Sequence, residues 1–135
     1  MAVLGLGVDL VEVERFTREA ARQGADHATA FLLPAEIERT SRDPHPDSAR
    51  AAHFAAKEAF WKALGTGLRG QLAWHDLEVV PAAGRGLDLV LRGEAARLAA
   101  ARGIDRVALS LTRTRGHAAA LVVVAGGGRS AAPRE

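Results

Sequence analysis

The 135-residue chain has no cysteine, no apolar run long enough to cross a bilayer, and few lysines among its 18 basic residues. Without cysteine, disulfides, thiolate nucleophiles and cysteine-based metal sites are all excluded. A transmembrane helix needs about 18–20 consecutive apolar residues, and none is present. The opening "MAVLGLGVDLVEVERF" has no basic leader and carries Asp9 and Glu12 inside its apolar stretch, which argues against a signal peptide. A cytoplasmic location is expected, with no membrane partner. A formal net charge of +2 shows no lopsided balance. The arginines are scattered and no basic stripe is interleaved with aromatics, so a nucleic-acid partner is not expected. A basic cleft for a phosphorylated ligand or an acidic partner stays open. There is no internal repeat and no long linker.

What remains is a chain of 48% hydrophobic and 25% charged residues, suited to one folded domain over 1–126. The last stretch, "GGRSAAPRE", reads as a disordered tail over 127–135. "VLGLGVDLVEV" reads as a buried strand ending near Asp9, and residues 12–23 as a helix stopped by Gly24. Pro34 opens a short helix with acidic Glu36 in its first turn. Asp47 or Ser48 is expected to cap a long helix that runs to Leu64 and ends at Gly65. "LEVVP" and "LDLVL" suggest a hairpin, "GEAARLAAARG" a helix, and "VALSLT" with "AALVVVA" a second strand pair. The order implies an α+β domain, a mainly antiparallel sheet packed with a long helix.

The two lysines, Lys57 and Lys62, both fall in "HFAAKEAFWKALGTG", on either side of Glu58. Glu58 and Lys62 are four apart and share a helix face, flanked by Phe54 and Trp61. A surface pair of this kind contributes only about 0.3–0.5 kcal/mol, and arginine would serve it as well. Lysine instead offers a compact point charge suited to a phosphate oxygen. The helix runs directly into Gly65, Thr66 and Gly67, whose small side chains allow close approach of a ligand. Carboxylate, lysine and glycine turn together suggest a metal-bridged phosphate site, with Glu58 holding a hard cation. A second carboxylate is required. Asp9, out of pattern at the end of an apolar strand, is the best candidate, although an acid there could equally cap a helix.

"GLGVDLVEVERF", "FAAKEAFWKALGTG" and "LSLTRTRGHAAALVVV" resemble the three signature blocks of holo-acyl-carrier-protein synthases, the small phosphopantetheinyl transferases. The resemblance spans roughly residues 3–125. It implies a phosphopantetheinyl transferase-like fold. It also implies transfer of the phosphopantetheine arm of coenzyme A to a serine of an apo acyl carrier protein, with release of adenosine 3′,5′-bisphosphate, in fatty-acid synthesis. By position, Asp9 and Glu58 match the carboxylates that hold magnesium, and Lys62 the lysine at the phosphates; these three are the expected catalytic set. Gly65, Thr66 and Gly67 match the turn beside the nucleotide, and Lys57 would face the nucleotide rim or solvent. Either Glu58 or a coordinated water would take the serine proton. Arg15 and Arg22, seven apart on the first helix, match positions that receive the acidic helix of the carrier protein. A homotrimer with active sites between subunits is implied too, in which Asp9 and Glu58 of one site need not come from one chain.

The chain departs from the family pattern in two places. Arg113 stands where the third block usually has histidine, near the 3′-phosphate of coenzyme A, and His53 stands where arginine often precedes "FAAKEA". The two changes together would keep one cation at that phosphate. His117 falls where tyrosine is common and reads as a half-exposed strand residue. Two alternatives accompany the fatty-acid reading: a transferase dedicated to a polyketide carrier, or a coenzyme A and carrier-binding paralogue with weak or no turnover.

Overall fold

A computed structural model describes residues 1–24, 26–65, 73–84 and 86–127, the side chain of Asp26 excepted. The elements follow in the order β1 (Ala2–Glu12), α1 (Val13–Gln23), α2 (Asp26–Phe31), α3 (Pro34–Ser41), α4 (Pro46–Leu64), a single 3-10 turn (Trp74–Asp76), β2 (Leu77–Pro81), β3 (Leu87–Leu91), α5 (Gly93–Ala101), β4 (Ile104–Arg113) and β5 (His117–Gly126). Strands β1, β5 and β4 form an antiparallel sheet in that order, and β2 and β3 form a separate hairpin. The α+β class with a long helix against an antiparallel sheet is therefore observed.

Helix α4 is the centre of the molecule. Its inward positions are mostly alanine (51, 52, 55, 56, 59 and 63), all buried, so the helix axis can lie close to the sheet. The sheet meets it with glycine. A Cβ on Gly5 would stand 2.1 Å from the Ala63 carbonyl oxygen, and one on Gly7 would stand 1.9 Å from that of Ala59. Backbone thus rests on backbone, and no larger residue fits at either position. Phe60, Trp61, Leu64, Val122 and Val124 complete this core. Burial extends almost all round α4. Past its first turn only Arg50, Phe54, Glu58 and Lys62 stay accessible, a stripe of four-residue spacing.

Several expectations are corrected here. Strand β1 does not end near Asp9 but continues to Glu12, because Asp9 to Glu12 pair with Ala120 to His117 of β5. Nor is β1 buried on both faces: Leu6, Val8 and Leu10 are 60%, 56% and 66% exposed on the side away from α4. Helix α2 was not expected, since six residues between Gly24 and Pro34 carry too short a pattern to register. His45, not Asp47 or Ser48, occupies the N-cap of α4; Pro46 sits at its first position and Asp47 in its first turn. Trp61 does not flank the accessible stripe, being 1% exposed and turned into the core. Of the expected tail, Gly127 is described and residues 128–135 lie outside the described residues.

Candidate functional site

The two-residue period of β1 puts Gly5, Gly7 and Asp9 on the side facing α4. Two glycines bring strand and helix into contact, and the next position on that side carries a carboxylate. Asp9 then meets the accessible stripe of α4. Lys62 Nζ lies 2.9 Å from Asp9 Oδ1 and donates a second bond to the Val8 carbonyl at 3.1 Å. A helical side chain leans toward the N-terminus, which is how Lys62 reaches back along the strand to Asp9. Lys62 therefore pairs with the distant Asp9 at hydrogen-bonding distance, where local spacing had suggested Glu58.

Asp9, Glu58 and Lys62 line one cleft of about 780 Å³, with Phe16 and Phe54 beneath and Arg15 at its side. Burial pushes the Glu58 carboxyl up from its ordinary value; the charge of Asp9 adds to the shift and Lys62 opposes it. Two carboxylates close enough to repel, with one shared ammonium, form a site that favours an added cation. Their hard oxygens suit magnesium, which takes few protein carboxylates and completes its shell with water and substrate oxygens. Among the described residues no group of three or more metal-ligating side chains gathers anywhere. Phe16 and Phe54 of the lining belong to an aromatic cluster that continues behind it. Phe54 stacks on Trp74 at 5.4 Å between ring centroids and meets Phe31 and Phe16 at 5.3 and 5.9 Å.

The remaining expected residues are placed as follows. Lys57 is neither at a nucleotide rim nor in solvent: its side chain is fully buried and ion-paired with Glu36 at 2.8 Å. Its ammonium also donates to the carbonyls of Phe31 at 2.7 Å and Trp74 at 3.3 Å. Burial draws its pKa down, and Glu36 opposes that shift. One step of about 100° around a helix separates it from Glu58, enough to turn one residue inward and the other outward.

His53 and Arg113 do come together, lining a second cavity of about 320 Å³ between α3, α4 and β4. It shares no lining residue with the first. His53 is buried, donates from Nδ1 to the Ala49 carbonyl at 2.9 Å, and leaves Nε2 without a partner. Burial pushes its pKa down, so the ring at neutral pH adds no positive charge. Of the two expected residues Arg113 is the cation, in a lining that also holds Arg39, and its guanidinium lies 2.6 Å from Asp43, whose carboxyl it holds below the usual range.

Gly65 ends α4 in the left-handed conformation (φ 79°), donating to the Lys62 carbonyl at 3.0 Å. Thr66 and Gly67 lie outside the described residues. Arg15 and Arg22 differ: Arg15 borders the cleft, whereas Arg22 is spent on Glu19 at 3.0 Å. Sequence reasoning passed over Glu36 as a first-turn acid. Its placement three residues beyond the N-cap Leu33 is a capping signal, and its carboxylate does accept from the Leu33 N–H.

A model of the 4′-phosphopantetheinyl transferase superfamily matches residues 5–122. The chain is 42% identical over 124 residues to the holo-[acyl-carrier-protein] synthase of Desulforudis audaxviator, covering 92% of this chain and 94% of that one. With the Syntrophotalea carbinolica protein of the same name, identity is 47% over 130 residues, or 90% and 95% of the two chains. Among solved structures, the Neisseria meningitidis holo-[acyl-carrier-protein] synthase superposes with a TM-score of 0.83 at 31% identity, covering 92% of this chain and 99% of that one. The Helicobacter pylori synthase in complex with coenzyme A gives 0.76 at 28%, covering 89% and 99%.

Proposed function

The chain belongs to the 4′-phosphopantetheinyl transferase superfamily and to its holo-[acyl-carrier-protein] synthases, and from that premise we propose that the Asp9–Glu58–Lys62 cleft modifies apo acyl carrier protein with coenzyme A. The serine hydroxyl oxygen of the carrier attacks the phosphorus that bears the pantetheine arm. A new P–O bond forms, the pyrophosphate bond breaks, adenosine 3′,5′-bisphosphate departs with the bonding electrons, and the serine proton is released. Such a transfer asks the protein mainly for positioning and charge neutralisation.

The observation that carries this reading is the meeting of two carboxylates and the lysine in one cleft of a single chain. Asp9 and Glu58 would hold Mg²⁺, which when bound neutralises pyrophosphate charge and improves the leaving group. Lys62, half exposed, can lend its ammonium to a phosphate oxygen while staying near Asp9. Arg15 at the cleft edge supplies positive charge toward an acidic carrier surface.

Assembly as a homotrimer fits two features. Leu6, Val8 and Leu10 present an apolar sheet face opposite α4 that a second copy would cover. The cavity of His53 and Arg113 is separate from the Asp9 cleft within one chain, and a site built between copies could use both. No helix among the described residues is long and apolar enough to cross a membrane; the setting we assign is cytoplasmic fatty-acid synthesis. The test is intact mass of apo carriers of fatty-acid and polyketide type after incubation with the protein, coenzyme A and Mg²⁺, with and without chelator. A phosphopantetheine-sized gain that chelator abolishes, faster on the fatty-acid carrier, supports the reading. A gain confined to polyketide carriers would reassign the pathway, and no gain on any carrier would overturn it.

A further inference from the structure

Helix α4 brings Lys62 to the cleft from its last turn, at the C-terminal end of the helix. That is the wrong end for an anion. The aligned peptide dipoles leave about half a negative charge there, concentrated on the carbonyls of the last turn. Lys62 offsets part of it, but its ammonium already lies 2.9 Å from the Asp9 carboxylate.

A second cation reaches this helix end from elsewhere in the chain. The guanidinium of Arg102 donates from Nη1 to the carbonyl of Leu64, the last residue of α4. Arg102 makes no ion pair among the described residues. Its backbone is fixed independently of α4. It stands at the C-cap of α5, with its N–H directed at the carbonyls of Leu98 and Ala99 at 3.2 and 3.1 Å. The next residue, Gly103, turns the chain at φ 77° and abuts Gly126, where a Cβ would come within 1.9 Å of the Gly103 oxygen. The arginine is thus presented from a rigid corner at which α5 ends, β4 begins and β5 terminates.

We propose that Arg102 is a positioning residue for coenzyme A binding: it caps α4 at Leu64 and offsets the negative end of the helix that carries Lys62. The inference rests on the reading that this end of α4 handles coenzyme A phosphates. The guanidinium performs two separable tasks, a hydrogen bond to the carbonyl and a permanent charge, and the two respond differently to substitution. Glutamine can keep a donor without charge, lysine keeps charge with one point donor, and alanine removes both.

Coenzyme A binding is measured by isothermal titration calorimetry on wild type, Arg102→Ala, Arg102→Gln and Arg102→Lys, alongside KM values for coenzyme A and carrier and thermal melts. Arg102→Ala and Arg102→Gln should each weaken coenzyme A binding about fivefold, leave the carrier KM unchanged, and lose the difference at high salt. Arg102→Lys should recover most of the affinity. Equal recovery by glutamine and lysine would overturn the electrostatic role, and unchanged affinity in Arg102→Ala would overturn the proposal altogether. If all three variants lose melting temperature and both KM values worsen together, Arg102 is structural only and the proposal fails. Failure of the wild-type protein to modify any carrier would count against the transferase reading, a result distinct from these.

Discussion

Lys57 gives the sharpest separation between a ligand contact and a structural one. Substituting Lys57→Met keeps the aliphatic volume of the stem and removes the ammonium. Glu36 would then be left fully buried and charged, still accepting from the Leu33 and Val79 backbone N–H groups at 2.7 and 2.6 Å but without a countercharge. The carbonyls of Phe31 and Trp74 would lose their donor as well. Breaking a buried pair from one side costs about 3–5 kcal/mol, which for a domain of this size lowers Tm by roughly 10–20 °C. The pair itself need not be net stabilising; the loss comes from the charge left behind. Adding Glu36→Gln to Lys57→Met should therefore recover part of the loss, so the double variant is less destabilised than the sum of the singles. Urea denaturation followed by circular dichroism reads both values. In the folded fraction of Lys57→Met, the coenzyme A KM should be unchanged. A loss under about 1 kcal/mol with a raised coenzyme A KM would refute the reasoning and return Lys57 to the nucleotide.

Other outcomes follow from the same structure. Gly7→Ala drives a methyl into the Ala59 carbonyl; displacement of α4 should cost about 1–3 kcal/mol in thermal melts and lower transfer, because Asp9 is two residues away. Arg15→Glu should raise the carrier KM and leave that for coenzyme A alone, with the effect fading in salt. Arg22→Glu should do less, since the Arg22 charge is already offset by Glu19. Burial and Asp9 raise the Glu58 pKa. Stability from its neutral form is thus present below the unfolded value and lost as pH rises through the folded one. Glu58→Gln should consequently keep or slightly raise Tm at neutral pH, measured without added metal. Leu6→Asp with Leu10→Asp on the open face of β1 should shift the elution volume toward the single chain in size-exclusion chromatography.

The residues that meet in the cleft could be singled out because their chemistry departs from their surroundings. Asp9 interrupts an apolar strand, and Glu58 and Lys62 share a face by helical period. Helix ends at Gly24 and Gly65 were marked by glycine, and the alternation around residues 77–91 and 104–126 identified the strands. What stayed hidden depends on contacts distant in sequence. Gly5 and Gly7 look like ordinary strand glycines until Ala59 and Ala63 are laid on them. The Lys57–Glu36 pair spans 21 positions, and that of Arg113 with Asp43 spans 70, so no local pattern announces either. Trp61 faced inward because nearly the whole circumference of α4 is buried, leaving a stripe one residue wide instead of an ordinary amphipathic half. Arg102 carries no local signal at all, since only the fold brings the end of α5 to the end of α4.

The central claim is that Asp9, Glu58 and Lys62 form a metal-dependent transfer site. Its most direct test compares wild type with Glu58→Gln in one experiment, reading the mass of apo carrier protein over time with coenzyme A and Mg²⁺ while carrier binding is measured in parallel. The account predicts steady conversion by wild type and loss of conversion by the variant, with carrier binding intact. Conversion by Glu58→Gln at the wild-type rate would contradict it.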